Sequence, residues 1–459
     1  MSNPGDADAT PIASIRLLAE HIAAGCKPAE RFAIGTEHEK FGFRLTDFTP
    51  PPYEPDGIHA VLEGIAATGW TRILDHGRPI GLTRGRAAIS LEPAGQLELS
   101  GGTLATLHDT RAEFLAHFAD VHRAAEGLGL GFAPLGFHPT ACRDAMPWMP
   151  KSRYGLMRRY MPKVGSMGLD MMTRTCTVQV NLDYASEADM VRKLRVALAL
   201  QPVATALFAN SPFSEGRPNG FLSYRAHVWT DTDNQRSGIP PVFFEDGFGF
   251  ERYAEWLVDS VPMYFVMRDG GYVDLTGQSF RRFLDGRLDH PDAASIGPAT
   301  LGDFADHMTT VFTDVRLKRF LEMRGADAGS LDMMLAQSAL WVGLLYDPAA
   351  LQAAAALVAQ HPWTDFVALR ALVPRQGLDA PWAPGHGSVR NLARDMVAIA
   401  RGGLCARSRF DTAGQDETRY LAPLEAIVNG APTQAEAWLA RFHGEWGGDV
   451  TRIFNESAI

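Results

Sequence analysis

The chain has 459 residues, enough for one large core or two to three domains, with 46% hydrophobic and 21% charged residues, an ordinary globular balance. A formal net charge of -10 leaves no excess of Lys and Arg to neutralise phosphates, which argues against a nucleic-acid binder. The nearest candidate for a membrane span, VALALQPVATALFANSPF, is interrupted by Gln201 and Pro202, and Cys26, Cys142, Cys176 and Cys405 show no CxxC spacing; membrane span, disulfide framework and zinc site are not expected, and a cytoplasmic, reducing location is.

The acidic start MSNPGDADATP lacks the basic-then-apolar order of a secretory signal, so residues 1–12 are expected to form a disordered tail. A helix is expected over 12–25, ending at Gly25. IGTEHEKFGF follows as a strand, with Glu37, Glu39, Phe41 and Phe43 on one face and His38 and Lys40 on the other. FTPPPYEPDG marks a loop over 48–57, and a helix is expected over 58–67. In AAISLEPAGQLELSGG, Ile89, Leu91, Leu97 and Leu99 alternate with Ser90, Glu92, Gln96, Glu98 and Ser100, which is strand patterning with a Pro-Ala-Gly break.

Thr103 is expected to cap a helix carrying Leu104, Leu107, Phe114, Leu115, Phe118 and Val121 on one stripe and ending at Gly127 to Gly129. LGFAPLGFHP reads as a strand. MPWMPKSRYGLMRRYMPKVGSMGLDMM has no regular period and reads as a helical turn with a mobile loop. TRTCTVQVNLDY is the clearest strand: Cys176, Val178, Val180, Leu182 and Tyr184 form one face, and Thr175, Thr177, Gln179, Asn181 and Asp183 the other. Ser186 and Asp189 make a capping-box-like start for a helix that reaches Phe208. A loop then leads to Arg225, His227 and Trp229. VRLKRFLEMRGAD, as a strand, places Glu322 and Arg324 on one face, and the remaining chain is mostly helical. The expected class is α+β, with a catalytic sheet part over 13–329 and a helical part over 330–459 packed on it.

Four of these strands present polar groups on one face: Glu37 and Glu39; Glu92, Gln96 and Glu98; Gln179 and Asn181; Glu322 and Arg324. Five carboxylates on one sheet surface are costly unless divalent cations neutralise them. Hard oxygen donors without a Cys or His pair select Mg²⁺, or Mn²⁺, over zinc or copper. Such ions beside an Arg-rich loop suggest phosphoryl transfer from a nucleotide. There is no GxxxxGK[ST] loop, no GxGxxG opening a helix after a strand, no HExxH and no GxSxG, so a nucleotide would be held by the sheet face and its metals. Singly, each residue has an ordinary reading: a Glu pair on a solvated edge, Gln179 and Asn181 on the wet side of a strand, Arg225 and Arg324 in surface ion pairs, Met171 and Met172 as core fillers. Agreement among separate segments favours the site.

GTEHEKFGF, ISLEPAGQLELSG, YMPKVGSMGLDMMTRTCTVQVNLD, ALFANSPFSEGRPNGFLSYRAHVWTDTD, RLKRFLEMRGAD and HGEWG together closely resemble glutamate–cysteine ligases of the plant and proteobacterial type, over residues 15–450. The first motif alone is shared with the wider carboxylate–amine ligase superfamily related to glutamine synthetase. The resemblance implies a curved, mainly antiparallel sheet forming a partly closed funnel with helices outside. It implies ATP-dependent joining of L-glutamate to L-cysteine through a γ-glutamyl phosphate, the first step of glutathione synthesis. The implied partners are these small molecules, in a monomer or weak homodimer.

By the same resemblance, Glu37, Glu39, Glu98 and Glu322 match metal-binding carboxylates, Glu92 matches less closely, and Gln179 stands where related ligases place a metal- or substrate-facing His. Arg324 would act on the transferring phosphate and Arg225 on substrate or phosphate. Arg153, Tyr154, Met171, Met172, Thr173, Thr175, Thr177, Asn181 and Trp229 would line the substrate pocket. Plant members carry regulatory disulfides; at the aligned positions this chain has Arg111, Leu335, Leu275 and His290, so no thiol switch of that kind is expected. Two rival readings stay open: a sister ligase using another amine, and a non-catalytic nucleotide-binding protein on this fold.

Overall fold

The computed structural model describes residues 8–459 except 384 and 386. The strands that matter are β1 (Ile34–Arg44), β2 (Thr71–Asp75), β3 (Arg78–Arg84), β4 (Ala87–Leu91), β5 (Leu97–Ser100), β6 (Leu130–Ala133), β7 (Thr177–Leu182), β8 (Val315–Leu317) and β9 (Leu321–Asp327). They build one antiparallel sheet in the order β8-β9-β7-β1-β5-β4-β3-β2, with β6 beside the far end of β1. The sheet is not closed, and the α+β expectation holds. β1 is long enough to take three partners: β7 at Ile34–His38, β5 at Glu37–Lys40 and β6 at Phe41–Arg44.

The helices that bear on the site and its core are α1 (Ile15–Ala23), α2 (Ile58–Ala66), α3 (Leu107–Ala125), α4 (Ser152–Tyr160), α5 (Gly168–Arg174), α6 (Glu187–Leu207), α7 (Tyr224–Val228), α8 (Leu331–Leu345), α9 (Trp363–Gln376) and α10 (Val389–Arg407). Ile89, Leu91, Leu97, Leu99, Val178 and Val180 meet α2, α3, α6 and α8 in one apolar core that runs from Leu18 to Val428. Each such side chain contributes about 1.5–3 kcal/mol when buried. A one-residue slip of β5 or β7 would trade them for Glu98, Gln179 and Asn181, so the core fixes which face carries the polar groups. Among the described residues no single helix is long and apolar enough to cross a membrane.

Several expectations need correction. The α3 cap is Thr106, not Thr103: Thr106 and Asp109 form a full capping box, while Leu104 still pairs with Ile34 as extended chain. The α6 cap is Ser186, but Asp189 accepts from Ala185 N at 2.7 Å, one residue before the cap. LGFAPLGFHP is a strand only over Leu130–Ala133, because Pro134 removes a ladder donor. VRLKRFLEMRGAD is a hairpin, β8 and β9, with Arg316 opposite Glu322. The hairpin β2–β3 was not expected; it turns on His76 and Gly77, both at positive φ (47° and 78°), the backbone of a two-residue turn.

The Met-rich stretch is not a loose loop. It forms α4 and α5, and Tyr154, Leu156, Met157, Tyr160, Met161, Met171 and Met172 fill a second apolar cluster. These helices are short and packed on several sides, so they show no single stripe. Of the tail expected to be disordered, residues 1–7 lie outside the described residues. Residues 8–12 run beside 299–302, with Ile12 N donating to Ala299 O at 3.0 Å and Leu301 N to Thr10 O at 2.9 Å.

Candidate active site

The strand register brings the carboxylates together. Glu39 lies directly opposite Glu98 on β5, and Glu37 opposite Gln179 on β7. All are buried, as are Glu92 and Glu322. Glu37 Oε1 accepts from Asn181 Nδ2 at 2.9 Å and Oε2 from Gln179 Nε2 at 3.2 Å. Glu39 Oε2 accepts from Thr177 N at 2.9 Å, and Glu98 Oε2 from Ser90 Oγ at 2.6 Å. Burial, and then the Glu322 and Glu98 carboxylates, push Glu37 up to about 7. Burial, and then Glu92 and Glu98, push Glu39 up to about 8.

Glu322 is different. Burial would raise it, but Arg316, Lys318 and Arg324 overcome that and hold it well below the usual carboxylate range. Arg316 grips both oxygens, at 2.6 and 2.9 Å, Arg324 donates at 3.0 Å, and the Lys318 ammonium stands at 3.4 Å. Gln179 is also engaged on both sides: its nitrogen reaches Glu37 and its oxygen accepts from Arg324 Nη1. The expectation that Glu322 and Gln179 face a metal is therefore not what the geometry presents. Their polar atoms organise Arg324 and Glu37.

A pocket of about 470 Å³ opens over this floor, lined by Glu39, Glu92, Gln96, Met171, Met172, Thr175, Thr177, Gln179, Arg225, Trp229, Phe312 and Arg324. A second hollow of about 440 Å³ shares Arg225, Trp229, Phe312 and Arg324 and adds Asp314 and Arg370, whose guanidinium donates to the Asp314 carboxylate at 2.7 Å. Arg225 is buried; its Nη2 donates to Arg324 O at 3.0 Å, while its Nε has no partner. Trp229 Nε1 also lacks one.

Of the other expected residues, Asn181, Arg153, Tyr154 and Thr173 stand around this pocket rather than in it, and Thr175 lines it. Asn181 faces Glu37 on the floor. Arg153 and Tyr154 are buried on α4, and the Tyr154 hydroxyl donates to Leu91 O at 2.6 Å and stands 3.5 Å from Glu92 Oε1. Thr173 is turned away: its hydroxyl donates to Leu169 O at 2.8 Å within α5. Thr175 bonds likewise to Met171 O at 2.7 Å yet lines the pocket.

Sequence reasoning missed four residues. Arg316 and Lys318 were hidden by reading their hairpin as a single strand. Phe312 had no signal beyond its size. Asp327, at the end of β9, accepts from Asn210 N at 2.8 Å, Ser211 Oγ at 2.6 Å and Ser223 Oγ at 2.8 Å. Ser223 caps α7 through Ala226 N, and Ser211 Oγ accepts from Arg225 N at 3.1 Å, so Asp327 holds the segment that carries Arg225 and Trp229.

The carboxylates suit a hard divalent cation by donor chemistry, since a cation would relieve the crowding that raises Glu37 and Glu39. Their spacing is another matter: among the described residues no three His, Cys, Asp or Glu side chains converge tightly enough to hold an ion.

The model of glutamate-cysteine ligase family 2 (GCS2) matches residues 33–456. A chloroplastic glutamate–cysteine ligase B from Oryza sativa subsp. japonica is 48% identical over 440 residues, covering 96% of this chain and 86% of that one. A chloroplastic glutamate–cysteine ligase from Brassica juncea is 49% identical over 440 residues, covering 96% and 83%. The crystal structure of a glutamate–cysteine ligase from Francisella tularensis in complex with AMP aligns with a TM-score of 0.56 over 93% of this chain and 87% of that one; at 10% identity this is a likeness of fold alone. The chloroplastic relatives overturn the cytoplasmic expectation, which rested on four scattered cysteines. From the family match and these identities, the chain belongs to glutamate–cysteine ligase family 2.

Proposed function

We propose that this chain joins L-glutamate to L-cysteine with ATP, making γ-glutamylcysteine in the first step of glutathione synthesis. The observation that carries the reading is the pocket in which Glu39, Glu92, Gln179, Arg225 and Arg324 face one another beneath an apolar wall of Met171, Met172, Trp229 and Phe312. A carboxylate is a poor electrophile. Transfer of the ATP γ-phosphoryl group to the glutamate γ-carboxylate supplies a leaving group, and the cysteine amine then displaces phosphate from the acyl phosphate.

Arg324, fixed by Glu322 and Gln179, faces the charge that moves during transfer. Arg225 offers an unpartnered Nε to an anionic group of substrate. Glu37, Glu39, Glu92 and Glu98 would hold Mg²⁺ only by drawing closer together around it than they stand here, and the ion when bound would neutralise phosphate charge. Glu322 could join them only by exchanging a guanidinium contact for the ion. The apolar wall keeps water from the acyl phosphate. The partners are the three small molecules, and the working unit is a monomer or weak homodimer.

The test is ADP release by the purified chain with ATP, Mg²⁺ and L-glutamate, with and without L-cysteine, and the product mass. Cysteine-dependent ADP with a product of γ-glutamylcysteine mass supports the reading. ADP that follows a different amine moves the substrate, and no ADP with any amine removes the catalytic reading.

A further inference from the structure

The active-site floor has a buried cation that the ligase chemistry above leaves without a task. Lys151 is only 2% exposed, and its Nζ has no hydrogen-bond partner. Other buried lysines are satisfied: Lys193 Nζ meets Asp189 at 2.9 Å and Asp183 O at 3.0 Å, and Lys40 Nζ meets His38 Nδ1 at 3.2 Å. An ammonium taken out of water without acceptors is strongly destabilising, so a purely structural role would favour an apolar side chain here.

The position of Lys151 is well determined. Met149 N donates to Pro93 O at 2.8 Å, which fastens the segment to the turn between β4 and β5. Ser152 N and Oγ donate to Asp75 Oδ2 at 2.7 and 2.8 Å on the other flank. The Tyr154 ring lies 5.3 Å from Nζ, and its hydroxyl reaches Leu91 O and Glu92, so the ammonium sits at the Glu92 end of the carboxylate floor. Arg153 follows in sequence and is also buried. Burial, and then the like charge of Arg153, lower the Lys151 ammonium to about 7, while Glu92, Glu98 and Asp75 pull it the other way.

We propose that Lys151, with Arg153 beside it, seats an anionic oxygen of a substrate next to Glu92 and Glu98. The proposal rests on the ligase reading, in which two chemistries share that description: the α-carboxylate of an amino-acid substrate and a phosphate of ATP. In either case the ligand oxygen supplies the acceptor that the fold withholds, and the seat positions the substrate without taking part in bond making.

Full-length Lys151→Met and Lys151→Arg test it, with the melting temperature read without ligands and KM read for each of the three substrates. Lys151→Met is expected to melt at or above the wild-type temperature, because an unpaired buried charge is gone. It should raise KM for one substrate about tenfold or more and leave the other two within about twofold. Lys151→Arg should recover most of that loss. A KM effect on glutamate or cysteine assigns the seat to an α-carboxylate, and one on ATP assigns it to a phosphate. Three KM values within about twofold of wild type overturn the proposal, as does a parallel rise in all three with a lowered melting temperature. If wild type makes no product, the ligase reading fails instead. The seat is then judged by whether Lys151→Met loses the thermal shift that L-glutamate or Mg²⁺ with ATP gives wild type: loss supports it and an unchanged shift overturns it.

Discussion

Asp327→Ala removes the acceptor that joins β9 to the loop at 210–211 and to the cap of α7. Three donors would lose it: Asn210 N at 2.8 Å, Ser211 Oγ at 2.6 Å and Ser223 Oγ at 2.8 Å. Hydrogen bonds to a charged acceptor are worth about 1.5–3 kcal/mol each, which bounds the gross loss at about 5–9 kcal/mol. Two offsets apply. Burial raises the Asp327 carboxyl above its usual range, so the anion is held at a cost that alanine removes. The serine hydroxyls can also rotate to other acceptors. A net loss of about 3 kcal/mol is expected, read from urea denaturation. Function should fall further than stability alone explains, because Ser211 and Ser223 fix the backbone at Arg225 and Ala226. A drop in kcat/KM of about tenfold to a hundredfold is expected under conditions where the variant is folded. A loss below about 1 kcal/mol with unchanged kinetics would refute the role given to Asp327.

Glu37→Ala and Glu39→Ala should abolish turnover while leaving the melting temperature unchanged or higher, since both carboxyls are pushed up by burial and by neighbouring carboxylates; retained activity with unchanged Mg²⁺ dependence would contradict this. Thr173→Val should leave every KM within about twofold, because the hydroxyl bonds inside α5; a tenfold rise would place it in the pocket. His138 is held down to about 3, by burial first and then by Arg174, against about 6.5 when unfolded. Its contribution is therefore complete above pH 6.5 and is lost as pH falls towards 3, by up to about 1.4 kcal/mol per pH unit. His138→Gln should flatten the dependence of urea stability on pH between 6 and 4, and parallel curves would remove His138 as its source. All four cysteines are free, so gel filtration with and without reductant should give one size and one activity.

What was legible in the sequence is what a period of two encodes. In β5 and β7 the glutamates, glutamine and asparagine alternate with leucines and valines, and only one register buries the apolar set, so the polar face followed from spacing alone. β2 is half-exposed and carries no such contrast, and its one signal was the turn at His76 and Gly77. α4 and α5 pack on several sides, so no stripe marked them as helices. Within the site, the sequence counts charges but does not pair them. Glu322 looks like a fifth metal carboxylate until the hairpin sets Arg316 against it, a pairing across a turn that a single-strand reading conceals. Lys151 carries no signal in the sequence, and only the structure shows its ammonium buried without a hydrogen-bond partner. These two residues divide the floor. At the Glu322 end, negative charge is neutralised by the protein's own arginines, and Arg324 is aimed as a result. Among the described residues the hydrogen-bond donors to Glu37 and Glu39 are amides, and a divalent cation would relieve the crowding that raises both. At the Glu92 end, a cation waits for an anion. On the ligase reading proposed above, such a floor would be complete only with cation and anionic substrate together, which is the order of assembly a phosphoryl-transferring ligase needs to keep its acyl phosphate from forming before the substrates are in place.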